Sequence, residues 1–230
     1  MLAKYMSRPS PGHIDAAKWV IRYIKGTKDL GIKFSSREDG QLSSYLKFKT
    51  NPKHIEALTD ANWGPQDQSN PKKYERIATF KSRSISGYVI WMGGPLHWES
   101  KRQKITARSS AEAEIYATDE CVKRLQQIRN IAEDLNILDT IMPNTVKVHN
   151  DNNACVQWSA SMTTRALRHI QMRENAVREE HAKGHIKCVH IQGNINLSDM
   201  FTKEDKNTAH FTEIRNKMMA KPLSMTKVQE

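Results

Sequence analysis

Four carboxylates, Asp60, Glu114, Asp151 and Asp199, stand where a fold can hold an acid rigidly. Asp60 closes an apolar run in Thr59-Asp60-Ala61-Asn62-Trp63. Glu114 falls early in a long helical pattern. Asp151 ends the alternation through Val146 and Val148, and Asp199 opens a late helical segment. Acids that converge from such positions hold divalent cations, because Mg²⁺ takes hard oxygen ligands and keeps several of its waters. Two such ions about 4 Å apart can deprotonate a water and stabilise a leaving oxygen, which is what phosphodiester hydrolysis requires. Each acid also has a plainer reading. Asp60 can be a strand-end turn residue, and Asp151 can N-cap the following helix. Asp199, three residues after Asn196, can be the acid of a capping box. The four together, in order, at element ends and in a basic chain favour the chemistry.

Glu112 and Glu114 separate on geometry. Ser109-x-x-Glu112 is a capping box, which gives Glu112 a structural task. Glu114 is two residues on, about 200° round the helix axis, and so lies on nearly the opposite face. It is therefore the ligand candidate.

The elements that must position these acids follow from periodicity. A helix runs from Ser10 and Pro11 to Gly26, with Ile14, Ala17, Val20, Ile21 and Ile24 on its apolar face. Leu30, Ile32 and Phe34 alternate as on a half-buried strand, and Ser35–Asn51 reads as a polar linker. Residues 1–50 thus form an appendage, 51–205 the main domain, and 206–230 a C-terminal helix and tail. In the main domain a strand ends at Asp60, and Trp63–Ser84 is a long polar segment that reads as loop or disorder. Ser86–Met92 and Leu96–Glu99 are strands around the turn Gly93-Gly94-Pro95. Ser109–Leu135 is a helix whose buried stripe is Ile115, Val122, Leu125, Ile128, Ala132 and Leu135. A fourth strand reaches Asp151, and a short helix covers Asn153–Ser159. Ile170–Lys183 is a polar helix closed by Gly184, Ile186–Ile191 is a fifth strand, and Leu197–Lys203 and Ala209–Met219 are helical. Three strands in a meander, followed by strands alternating with helices, predict an α/β domain with a mixed sheet.

Lys and Arg number 36 against 25 Asp and Glu, a net charge of +11. A surplus of this size favours a polyanionic partner over a merely solubilising surface. The cysteines, Cys121, Cys155 and Cys188, are dispersed and odd in number, which fits a reducing compartment and no disulfide framework. Met1–Arg8 is too polar for a signal-peptide core, and no stretch approaches the roughly 20 apolar residues of a membrane helix. The expectation is a chain inside the cell, without membrane or small-molecule cofactor. Lys101, Arg102 and Lys104, beside Trp98 and Gln103, either track a phosphate backbone or form a solvated turn. His181, His185, Cys188 and His190 resemble a zinc set only superficially. Gly184 ends the helix between the first two, and histidines at a helix C-terminus are favoured by its dipole. Trp19, Trp91 and Trp158 read as core residues.

Several segments, taken in order, resemble the ribonuclease H region of copia-type retrotransposon polyproteins. They are Asp60-Ala61-Asn62-Trp63, Ser84–Val89, Trp98–Lys104, Ser109–Glu114, Asp151-Asn152-Asn153-Ala154, Arg168-His169-Ile170 and Leu197–Lys203. Residues 1–34, with Tyr23–Lys28, are similar to the tail of the family's preceding reverse-transcriptase segment. The resemblance implies a five-stranded mixed sheet of order 3-2-1-4-5 flanked by helices, and cleavage of the RNA strand of RNA–DNA hybrids. It implies that Asp60 bridges two Mg²⁺ ions (Mn²⁺ being a possible substitute), that Asp199 completes the first, and that Glu114 and Asp151 complete the second. It also implies two partners: the hybrid, and the polymerase domain of the parent polyprotein. Hybrid recognition requires contacts to 2′-OH groups, for which Asn62, Ser110 and Asn153 are the candidates near the acids.

The sequence departs from the pattern in places. The Trp63–Ile85 connection is long, Asn-Asn-Ala follows Asp151 in place of Asn-Gln-Ser-Ala, and Gln192–Leu197 holds no histidine. No paired-aspartate polymerase motif is present. A catalytically silent nucleic-acid-binding remnant is the alternative. A strand-transfer enzyme of related fold would show Asp, Asp, Glu, whereas the order here is Asp, Glu, Asp, Asp.

Overall fold

The computed structural model describes residues 6–64, 83–161, 172–203 and 208–221. The Trp63–Ser84 loop, Arg168-His169-Ile170 and the end of the C-terminal tail therefore fall largely or wholly outside the described residues. Among those described, no helix is long and apolar enough to cross a membrane.

In chain order the elements are α1 (Pro11–Gly26), β1 (Gly31–Ile32), α2 (Gly40–Leu46), β2 (Glu56–Asn62), β3 (Ile85–Trp91) and β4 (Pro95–Arg102). There follow α3 (Ser110–Asp134), α4 (Leu138–Ile141), β5 (Val146–Asn150), α5 (Asn153–Ala160), α6 (Met172–Ala182) and β6 (Ile186–His190). A 3-10 turn (Gly193–Ile195), α7 (Asp199–Thr202), α8 (Thr208–Met218) and β7 (Met219–Ala220) complete the described chain. The main sheet has the order β4-β3-β2-β5-β6. β2, β3 and β4 pair antiparallel, while β2–β5 and β5–β6 pair parallel. Numbered along that sheet the order is 3-2-1-4-5, the five-stranded mixed α/β arrangement that the resemblance implies.

β2 is buried along almost its whole length, because helices cover both faces of the sheet. Alternate residues serve each layer. Ala57, Tyr88, Ile90 and Val148 pack with Ile115, Val122 and Leu125 of α3 and Val177 of α6. Leu58, Val89 and Trp91 pack on the other face with Leu42 and Leu46 of α2, Leu197, and Ile214 and Met218 of α8. Each fully buried side chain of this size contributes roughly 1.5–3 kcal/mol. Ser109 caps α3 by accepting from the Glu112 N–H, and Gly184, at φ +75°, turns the chain from α6 into β6.

Four expectations need correction. The Ser35–Asn51 stretch is not an open linker. Asp39 caps α2 by accepting from the Leu42 N–H, and the i, i+4 pair Leu42 and Leu46 enters the core. The Leu30–Phe34 strand is not half-buried. Only Gly31 and Ile32 pair, with Ala220 and Met219, and Ile32 and Phe34 stay exposed. Leu135 lies past the end of α3 and is 62% exposed, off the buried stripe. Trp91 and Trp158 are core residues, but Trp19 is 67% exposed, because nothing described covers that side of α1.

Candidate metal centre

The parallel register of β2 and β5, with Thr59 opposite Asn150, brings Asp60 and Asp151 side by side at the same sheet end. α3 lies across that end and delivers Glu114 from its second turn. One oxygen from each of Asp60, Glu114 and Asp151 lies within 4.8 Å of the others. Among the described residues, no other set of three or more His, Cys, Asp or Glu comes this close. His181, His185, Cys188 and His190 do not converge, and His185 instead pairs with Glu180 at 2.8 Å. Asp199, the first residue of α7, stands outside the trio but is joined to it through Lys203. The Lys203 Nζ is 2.7 Å from Asp199 Oδ1 and 3.5 Å from Asp60 Oδ1.

Neutral groups hold two of the acids, Glu114 and Asp60. The buried Asn150 amide donates to Glu114 Oε2 at 2.9 Å and to Thr59 Oγ1 at 3.0 Å, while its own oxygen accepts from the Asn152 N–H at 2.8 Å. Thr202 Oγ1 donates to Asp60 Oδ2. Asn196, fully buried, donates to the Thr59 carbonyl at 2.9 Å and accepts from the Ser198 hydroxyl and N–H, which ties the segment before α7 to β2. Asn152, not Asp151, caps α5 by accepting from the Cys155 N–H. Asp151 is thus left free of that structural task.

Crowding of like charges out of water raises the proton affinity of Glu114, Asp151 and Asp199. Burial first, and then the Asp60 charge, push Glu114 up to about 9, against the opposing bonds from Asn150 and Ala61. Burial and Asp60 push Asp199 up to about 6, with Lys203 opposing. Asp151 is raised by the same two causes, with Lys203 and His190 opposing. Burial weakens the Lys203 ammonium, but attraction to Asp60 and Asp199 outweighs it and raises the lysine overall. Converging hard oxygen donors whose mutual repulsion is only partly relieved fit a divalent cation.

The chain is 29% identical over 204 residues to the "Retrovirus-related Pol polyprotein from transposon RE2" of Arabidopsis thaliana, a match covering 88% of this chain and 12% of that protein. Over most of its length the chain is similar to copia-type transposon Pol polyproteins. It spans about an eighth of the length of the Pol relatives it matches. It is also 30% identical over 124 residues to "Secreted RxLR effector protein 161" of Plasmopara viticola, covering 54% of this chain and 70% of that protein. Among solved structures, LC11-RNase H1 isolated from compost overlays 65% of the chain at 18% identity, with a TM-score of 0.45, and 93% of that protein is covered. No protein-family model matches.

The remaining site candidates fall into two groups. Asn62, at the end of β2, donates to the Thr202 carbonyl at 3.3 Å and borders the acids. Ser110 and Asn153 are the exposed first residues of α3 and α5, beside Glu114 and Asp151 in sequence. Lys101 and Arg102 do not follow the third sheet strand but lie within it, because β4 runs on to Arg102. With Lys104 they line a shallow pocket against Tyr116 and Lys123 of α3.

Sequence reasoning gave Asn196 only a place in a possible capping box with Asp199, and assigned no task to Asn150, Thr202, Lys203, Gly87 or Gly193. The two glycines carried a usable signal, since glycine inside or beside a strand marks close approach by other groups. A Cβ on Gly87 would lie 2.6 Å from Thr202 Cγ2 and 2.8 Å from Phe201 Cβ, and one on Gly193 would lie 2.8 Å from Asp151 Oδ2.

Proposed function

We propose that this domain hydrolyses the RNA strand of RNA–DNA hybrids as part of a retrotransposon reverse transcriptase, with a divalent cation, Mg²⁺ or Mn²⁺, as cofactor. The convergence of Asp60, Glu114 and Asp151 at one sheet end carries this reading. Those three residues would hold the cation and Asp199 would border it. When bound, the metal supplies charge neutralisation and an acidified water. The chain's own residues do the rest. Asn150 and the Ala61 N–H orient Glu114, Thr202 orients Asp60, and Gly193 admits the 3-10 turn against Asp151. Lys101, Arg102 and Lys104 would neutralise backbone phosphates, a contribution independent of sequence and sensitive to salt. Asn62, Ser110 and Asn153, which lie near the acids, would contact hydroxyls of the RNA strand. The polymerase domain of the parent polyprotein is the protein partner in this reading.

The test is a labelled RNA–DNA hybrid incubated with the purified chain, with MgCl₂ or EDTA. Cleavage is expected with Mg²⁺ and absent with EDTA. Asp60→Asn and Asp151→Asn should each lose about a hundredfold or more, the equivalent of several kcal/mol of charge stabilisation. Mutants that cut as fast as the parent would remove the site from consideration.

A further inference from the structure

Lys203 belongs to no ligand set, yet its ammonium lies between two of the four acids. The two oxygens of Asp60 are divided: Oδ2 accepts from Thr202, and Oδ1 faces Lys203 at 3.5 Å. The same ammonium reaches Asp199 Oδ1 at 2.7 Å, one helical turn back. Its side chain is 43% exposed, and a lysine stem is flexible enough to swing clear.

We propose that Lys203 is a built-in cation of the Asp60–Asp199 half of the site, so that the domain readily takes one divalent ion and admits a second only by displacing this ammonium. The proposal rests on the metal-site reading above. Asp60, Glu114 and Asp151 leave room for one ion among themselves, whereas an ion between Asp60 and Asp199 needs the oxygen Lys203 now faces. Mg²⁺ binds carboxylate oxygens at about 2.0–2.1 Å. An ammonium held a few ångströms from that position repels the ion, and repulsion between a double and a single charge at about 5 Å costs roughly tenfold in affinity even at the dielectric of water. Lys203 thus sets the stoichiometry of the site and, in the metal-free protein, relieves part of its charge crowding.

The test compares the wild-type chain with Lys203→Met and Lys203→Arg by titration with MnCl₂, read as free Mn²⁺ by electron paramagnetic resonance, together with melting temperatures in EDTA. The wild type should bind one ion well and a second weakly. Lys203→Met should tighten the second by about tenfold or more and lower the metal-free melting temperature, while Lys203→Arg keeps both close to wild type. A second ion bound equally well or less well by Lys203→Met overturns the proposal and leaves the metal site standing. Failure of every variant to bind Mn²⁺ removes the metal site and this proposal together.

Discussion

Gly87→Ala tests how the fold delivers Asp199. Gly87 pairs directly opposite Asp60 across β2 and β3, and residues opposite one another in an antiparallel pair face the same side. On that side sits α7, close enough that an added methyl would meet Thr202 Cγ2 at 2.6 Å, Phe201 Cβ at 2.8 Å and the Ser198 carbonyl at 3.2 Å. Two of these neighbours are fixed by the backbone. Thr202 alone can rotate, and rotation takes its hydroxyl off Asp60 Oδ2. Overpacking costs roughly 1–3 kcal/mol, and loss of a hydrogen bond to a charged group adds roughly 1.5–3 kcal/mol. The lower backbone entropy of alanine in the unfolded chain returns up to about 1 kcal/mol. The net is a destabilisation of roughly 2–5 kcal/mol, or a melting temperature lower by roughly 5–15 °C for a chain of this size. Circular dichroism melts in EDTA measure it. Thr202→Ser removes the clashing methyl and keeps the hydroxyl, so the double variant Gly87→Ala/Thr202→Ser should recover part of the loss, a coupling that a double-mutant cycle isolates. A melting temperature within a degree or so of wild type, or no recovery in the double variant, would refute the claim that α7 is seated on Gly87.

Asn150→Ala removes the amide shared by Thr59, Glu114 and Asn152 and should cost roughly 2–4 kcal/mol in urea unfolding, with weaker Mn²⁺ binding as Glu114 loses its orienting donor. The pH dependence of the metal-free protein follows from the raised acids. Glu114, at about 9 against an ordinary 4.5, and Asp199, at about 6 against 3.8, favour the fold fully below their ordinary values and lose that contribution as pH rises through the folded ones. Melting temperatures in EDTA should therefore fall from about pH 4 to pH 9, and saturating MgCl₂ should flatten the slope; a metal-free stability that rises across this window would contradict the charge crowding.

The sheet and α3 were legible because they carry strong local signals: alternation at Val146 and Val148, the Gly93-Gly94-Pro95 turn, and the N-cap Ser109. Asp60, Asp151 and Asp199 stood out because each sits at or near the end of an element, where periodicity stops and a charge begins, and Glu114 because it follows the Ser109 cap into the second turn of α3. What stayed hidden is what depends on distant pairing. α2 offers two leucines in a polar stretch, and only the far face of the sheet makes them core. The Leu30–Phe34 alternation looks like a strand to any local rule, but its partner is residues 219–220, and two paired residues do not bury a face. Trp19 has the composition of a core residue and the position of a surface one, because burial is decided by what packs on α1, not by α1 itself.

The amides Asn150 and Asn196 were invisible for a related reason, and they fix Glu114 and the β2 backbone beneath the acids. An asparagine in a sequence reads as a cap or a turn. Here both are buried at strand or helix ends and spend their donors on Glu114 and on the β2 backbone. Neutral donors fix carboxylates without cancelling their charge. A lysine on each acid would have made the centre more stable and less able to attract a cation. With one flexible lysine on the Asp60–Asp199 side and amides elsewhere, the Asp60–Glu114–Asp151 side keeps its geometry while its electrostatic repulsion stays available to drive metal binding.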